Sequence, residues 1–250
     1  MRELRWSILM SVLLMTVLLV PACGGGAAPP TPYPTYTSNP PQTPLAVEPA
    51  NFVAAIDNPY YPLTPGTMMI FEGDTEEGSE RVETYVTKDT KRILGVDCVV
   101  VRDRVTVNGE LVEETLDWYA QDKSGNVWYF GEDSKEYEEG ALVGTKGSWE
   151  AGVDGAIAGI IMPANPQVGD TYRQEYYAGE AEDMAKVVSL SESAAVPYGS
   201  FDNLLMTEEW TPLEPGVVEQ KYYALGVGLV LEVIVQGGSG RVGLVAVTTE

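Results

Sequence analysis

The chain predicts an all-β domain: a single antiparallel sheet of roughly a dozen strands, built as a half-barrel, barrel or sandwich. Three observations lead there. Two hairpins can be read in register from their turn residues. Short β-branched and aromatic runs recur through residues 67–247, with Gly and Pro between them. No ten-residue stretch carries a helical period, and only residues 50–56 and 178–185 read as single turns.

The strongest signal is residues 116–132, LDWYAQDKSGNVWYFGE. Two aromatic runs flank Lys123-Ser124-Gly125, a three-residue loop in which Gly125 takes the left-handed position. Asp122 then faces Asn126, Ala120 faces Trp128, Tyr119 faces Tyr129 and Trp118 faces Phe130. Alternation puts Leu116, Trp118, Ala120, Trp128 and Phe130 on one buried face, and Asp117, Tyr119, Gln121 and Tyr129 on a semi-polar one. The preceding hairpin turns at Asn108-Gly109, a two-residue type I′ signal. It pairs Arg104 with Glu113, Val101 with Leu116 and Val99 with Trp118. Val99 and Val101 therefore extend the apolar face, opposite Cys98, Arg102, Arg104, Glu113, Asp117 and Tyr119.

Further strands are expected at 67–72, 81–88, 142–149, 171–177, 186–191, 204–210, 217–223, 229–235 and 242–247. Residues 151–170 break the rhythm, and the acidic clusters at 74–80, 132–139 and 180–183 read as solvated loops. The folded domain spans residues 51–250 without an internal boundary.

Ahead of it, residues 1–22 read as a lipoprotein signal peptide. Arg2 and Arg5 precede an apolar run over 6–20, too short for the about 20 apolar residues of a spanning helix. The run ends in Val20-Pro21-Ala22-Cys23, which resembles the lipobox of bacterial lipoproteins, although Leu and a small residue are more usual at positions 20 and 21. That resemblance implies acylation of Cys23 and a lipid anchor on the extracytoplasmic side of the bacterial envelope. Residues 23–50 are a Gly/Pro-rich linker, extended at about 3.1 Å per residue where polyproline geometry holds.

Composition excludes several chemistries. A formal net charge of -22 argues against nucleic acid as a partner. The chain has no His, so Ser-His-Asp and Cys-His arrangements and His-containing zinc sites are ruled out, and two Cys cannot build a Cys-rich metal site. No cofactor is expected. Cys98 reads as a small apolar strand residue. Asp122–Asn126 lacks the Gly and Glu of a calcium-binding EF-hand loop and reads as a turn. Asp103 and Glu114 stand directly opposite in the Asn108-Gly109 register, where like charges destabilise a hairpin. They form a candidate cation-binding or proton-sharing pair unless Arg102 and Arg104 neutralise them or a bulge shifts the register. Tyr119, Tyr129, Tyr176 and Tyr177 are candidate contacts for an apolar or carbohydrate ligand.

Residues 196–201 (VPYGSF), followed by 222–230 (YYALGVGLV), are similar to a pattern of uncharacterised exported bacterial proteins, in which a V-P-A-G-x-F turn precedes a Y-A-P-G-V-G-x-V strand. Tyr198 and Leu225 stand where that pattern has Ala and Pro. The resemblance implies a β-rich extracytoplasmic fold and no activity. Gly199, Gly226 and Gly228 are expected where the backbone turns or approaches a neighbouring strand.

Two functions fit the sequence: a lipid-anchored binding or envelope-structural module, and a hydrolase of extracellular carbohydrate working with paired carboxylates. The anchor is directly testable. Replacing Cys23 by Ser should move the protein from the detergent phase to the aqueous phase on partitioning; a variant as firmly membrane-bound as the parent rejects acylation.

Overall fold

The computed structural model describes residues 46–250, so the expectations for the signal peptide, Cys23 and most of the linker lie outside the described residues. The described chain is an antiparallel sheet with a single 3-10 turn, Pro49–Asn51. In chain order the strands are β1 (Phe52–Val53), β2 (Thr67–Thr75), β3 (Gly78–Ile93), β4 (Val96–Val107), β5 (Glu110–Asp122), β6 (Val127–Glu138), β7 (Ala141–Gly144) and β8 (Trp149–Glu150). There follow β9 (Ile157–Met162), β10 (Thr171–Arg173), β11 (Glu175–Tyr176), β12 (Met184–Val196), β13 (Gly199–Trp210), β14 (Val218–Ala224), β15 (Gly228–Gln236) and β16 (Gly240–Thr249).

The hydrogen-bonded order is β10-β12-β13-β14-β15-β16-β2-β3-β4-β5-β6-β9-β11, with β1 on β5 and β7 and β8 on β6. Its two ends are consecutive in sequence. Thr171–Arg173 pairs with β12, the chain bends at Gln174, and Glu175 and Tyr176 pair with β9. Gln174 N donates to Asp183 O at 2.8 Å across the bend. The sheet thereby curls into a nearly closed barrel. Gly159 on β9 lies against the backbone of Arg173 and Gln174, so closely that a Cβ there would collide with both carbonyls.

The strand at 157–162 falls inside the stretch expected to break the β rhythm. It is short and apolar, with Gly159 in its middle, and its neighbour β11 comes from further along the chain. A purely local reading has no turn signal with which to pair it.

The aromatic hairpin keeps its expected start: Asp122 N donates to Asn126 O, Ala120 faces Trp128 and Tyr119 faces Tyr129. Gly125 has a positive φ of 97°. Beyond Tyr119 a bulge breaks the register, and Asp117 faces Glu132. The Asn108-Gly109 hairpin differs more. Val107 faces Glu110 and Thr106 faces Leu111, but Val112 is then bulged out and Val105 faces Glu113. Arg104 thus faces Glu114, Val101 faces Asp117 and Val99 faces Tyr119. One extra residue turns β4 over relative to β5. Val99 and Val101 join Asp117 and Tyr119 instead of Trp118.

The semi-polar face is packed as well. Tyr119 and Tyr129 are 4% and 7% exposed, as buried as Trp118 and Trp128 at 6% and 7%. The tryptophans face outward and are covered there. Phe52 packs edge-on against Trp128 and Phe130 at 5.4 and 5.5 Å, and Lys91 Nζ lies 3.2 Å from the Trp118 ring centre. Tyr119 and Tyr129 face the barrel interior and stack at 4.8 Å. Since both faces are packed, truncating any of Trp118, Trp128, Tyr119 or Tyr129 to Ala should cost about 3–5 kcal/mol. Denaturant midpoints at constant slope measure this; tyrosine variants that lose under about 1 kcal/mol would mean the interior face is not packed.

Candidate functional site

The interior of the barrel holds two adjoining cavities of about 60 and 40 Å³. Tyr119, Ile161, Glu209 and Lys221 line both, so they form one lumen. Period-two alternation delivers its polar walls: Val101 and Asp103 from β4, Asp117 and Tyr119 from β5, and Lys221 and Tyr223 from β14 all point inward.

The mouth of the upper cavity is apolar and is formed partly by the segment ahead of β2. Tyr61, Pro62 and Leu63 sit beside Met69, Phe71, Val227 and Leu229. This segment is pinned to the aromatic hairpin. Gln121 Oε1 accepts from Asp57 N and Asn58 N, and Asn58 Nδ2 donates to Gly125 O at 2.8 Å. Gly226 N donates to Pro59 O on the opposite rim. Tyr61 is thus held edge-on to Tyr119 at 5.6 Å.

The floor is charged. Lys221 Nζ lies 3.0 Å from Glu209 Oε2, 3.7 Å from Glu232 and 4.0 Å from Glu219. Burial alone would lower the Lys221 pKa, but these three carboxylates outweigh it and hold the ammonium above its ordinary value. Glu209 also accepts from the hydroxyls of Thr207 at 2.8 Å and Tyr223 at 3.2 Å.

Beyond Lys221 the lower cavity is lined by Asp117, Tyr129, Glu132, Gln174, Glu175 and Asp183. Burial pushes Asp117, Glu132 and Glu175 well above the usual carboxylate range, and mutual repulsion adds to it. Burial likewise raises Asp103 and Asp183 to about 7. The hydrogen-bond geometry agrees. The Tyr129 hydroxyl lies 2.6 Å from Asp117 Oδ1 and 2.8 Å from Glu132 Oε2. A phenol has one hydrogen to give. A carboxyl proton fills the second contact, so this triad holds at least one carboxylic acid.

The expected site residues are distributed differently from the sequence reading. Tyr119 and Tyr129 line the lumen. Tyr176 lies outside it beneath Arg173, 4.1 Å from the ring centre, and Tyr177 pairs with Ala181. Asp103 and Glu114 are not a pair. The Val112 bulge puts Asp103 opposite Thr115 and turns it into the lumen, while Glu114 faces outward and pairs with Arg104 at 3.2 Å. The acidic clusters need correction as well: Glu80 and Glu132 are buried, and Asp183 lines the lower cavity. Lys221, Glu209, Glu175, Tyr61 and Tyr223 were not singled out from the sequence. Alternation of Glu219, Lys221 and Tyr223 along one strand face was the available signal.

No family model matches the chain, and no curated protein does. Among solved structures, the fold is similar to a protein of Bacteroides fragilis described as exported with a YMCC-like fold. The likeness covers 78% of this chain and 100% of that one, at 15% identity and a TM-score of 0.45. A protein of Parabacteroides distasonis described as a lipoprotein aligns over 76% and 98% of the two chains, at 13% identity and a TM-score of 0.43. Likeness this loose transfers no function.

The buried acids make stability depend on pH with a definite sign. A carboxyl whose folded pKa is raised keeps its proton while the unfolded chain releases it, so stability falls with rising pH across that window. For Asp103 and Asp183, at about 7, and Glu80, which burial raises to about 8, the fall runs from about pH 4. Each contributes up to about 1.4 kcal/mol per pH unit within its window. Denaturant unfolding at pH 4.5, 6 and 7.5 should show declining stability, and Asp103→Asn should flatten the decline. A curve that rises through this range with the variant unchanged would refute it.

Proposed function

We propose that the chain is a lipid-anchored, extracytoplasmic binding module whose ligand seat is the barrel lumen. The observation that carries this reading is a lumen with an apolar mouth, Pro62, Leu63, Met69, Phe71, Val227 and Leu229, above a floor of fixed polar groups. Concave, mostly apolar sites with a few placed polar groups are the usual form of small-molecule seats. The N-terminal charge, apolar run and Cys23 support the anchor, and the likeness of residues 196–201 and 222–230 to exported bacterial proteins supports the compartment.

The carbohydrate hydrolase reading finds carboxyls that converge, since Asp117 and Glu132 share the Tyr129 hydroxyl. It lacks room. Cavities of about 60 and 40 Å³ accommodate a few waters or a compact group and not two sugar rings flanking a scissile bond. Binding is therefore the better-supported function.

Titrating n-butanol, a small neutral amphiphile, into the isotope-labelled chain tests the seat. Amide shifts should saturate, localise to the residues around the lumen, and vanish in Ile161→Trp, which fills the junction of the two cavities. Scattered, non-saturating shifts, or shifts unchanged in the plugged variant, would reject it.

A further inference from the structure

We propose that the lower lumen is built to receive an ammonium group, making the ligand a small alkyl amine with its carbon chain toward the apolar mouth. The inference rests on the reading of the lumen as a ligand seat and adds the chemistry of the head group.

Charge is the first observation. Five carboxyl side chains, Asp117, Glu132, Glu175, Asp183 and Glu209, line the lower cavity, and Lys221 is the one cation lining either cavity among the described residues. Lys221 is already held by Glu209 at 3.0 Å. The other four acids have no cation of their own in the cavity wall.

The second observation is independent of charge counting. Asp117 and Glu175 are each 1% exposed and line this cavity, and each carries a buried oxygen, Asp117 Oδ2 and Glu175 Oε1, with no hydrogen-bond partner among the described residues. Their other oxygens are engaged, Asp117 Oδ1 by Tyr129 and Glu175 Oε2 by Trp149 Nε1 at 2.8 Å. Buried acceptors of this kind call for a donor. An ammonium supplies three hydrogens and a positive charge.

Geometry separates an ammonium from a metal ion. Among the described residues, no three acidic or Cys groups are close enough together to ligate a metal. Calcium needs 6–8 oxygens at about 2.3–2.6 Å, whereas an ammonium accepts a looser ring at about 2.7–2.9 Å. The shared lining by Tyr119 and Ile161 gives an alkyl chain a path from the acids to the mouth.

Binding is also linked to protons. Asp117 is repelled by Asp103, Glu132 and Glu113. Glu132 is repelled by Glu175, Glu113 and Asp183, and Glu175 by Asp183 and Asp117 with Lys221 opposing them. Crowding of this kind keeps carboxyls protonated, so an arriving ammonium displaces protons and binds more tightly as pH rises.

Isothermal calorimetry on the full chain tests the proposal with n-butylamine, n-butanol and n-butyrate, three probes of similar size. At pH 7 butylammonium should bind at least about tenfold more tightly than butanol, as expected for charge-assisted hydrogen bonds, and butyrate more weakly than either. The heat should vary with the buffer's ionisation enthalpy, reporting proton release. Asp117→Asn and Glu175→Gln should each narrow the gap between butylammonium and butanol affinity, measured side by side on the same variant. Equal affinities for butanol and butylammonium would overturn the ammonium site and leave the seat standing. Failure of all three probes would remove the seat as well. Millimolar calcium or sodium that binds with proton release and excludes butylammonium would replace the amine by a metal ion. The comparison of probes on the parent chain needs no variant to fold.

Discussion

Thr171–Tyr176 pairs with β12 through its first half and with β9 through its second, and the lumen exists because that segment joins the two ends of the sheet. Without this pairing, β9 and β12 would each present an unpaired edge beside the lower cavity, and Asp117, Glu132 and Glu175 would face water. Closure removes edges that would otherwise template aggregation, and it also shields the interior from bulk solvent. The bend at Gln174 and the bare Gly159 opposite it are the local conditions for closure. The elevated carboxyl pKa values follow from it.

An interior with this many carboxyls is a poor way to stabilise a barrel. Burying a charge is costly unless it is paired, and replacing buried ion pairs by apolar residues of similar volume is often neutral or stabilising. The walls here could have been Leu and Val, as around Leu204, Val230 and Leu244 in the apolar half of the core. Lys221 and Glu209 form an internal pair, while the Tyr129 triad keeps its proton. The polar half is therefore held at some expense of stability. That expense is intelligible if those groups bind something.

The sheet was largely legible in the sequence, because strand patterns and Asn-Gly or Gly-containing turns are local signals. Strands expected at 67–72, 186–191, 204–210 and 229–235 are present and longer than expected, extending to β2, β12, β13 and β15. The lumen was much less legible. Its orientation depends on a bulge at Val112 that no residue type announces, and one inserted residue exchanges the inner and outer faces of β4. Tyr119 and Tyr129 were found because their own hairpin turn kept its register up to that point. Glu132 and Asp183 were hidden for another reason. Acidic residues next to Gly and Ser read as solvated until distant strands are known to cover them, and that coverage is a property of the closed sheet.

Cys98 is 0% exposed, and burial pushes its thiol up to about 12. At neutral pH it has essentially no thiolate, which is the species that reacts with disulfides and maleimides. The folded domain is thus a natural cysteine-free background. A cysteine introduced at the mouth, at the half-buried Val227 for instance, could be tagged alone, allowing a reporter dye to be seated at the rim without first redesigning the core.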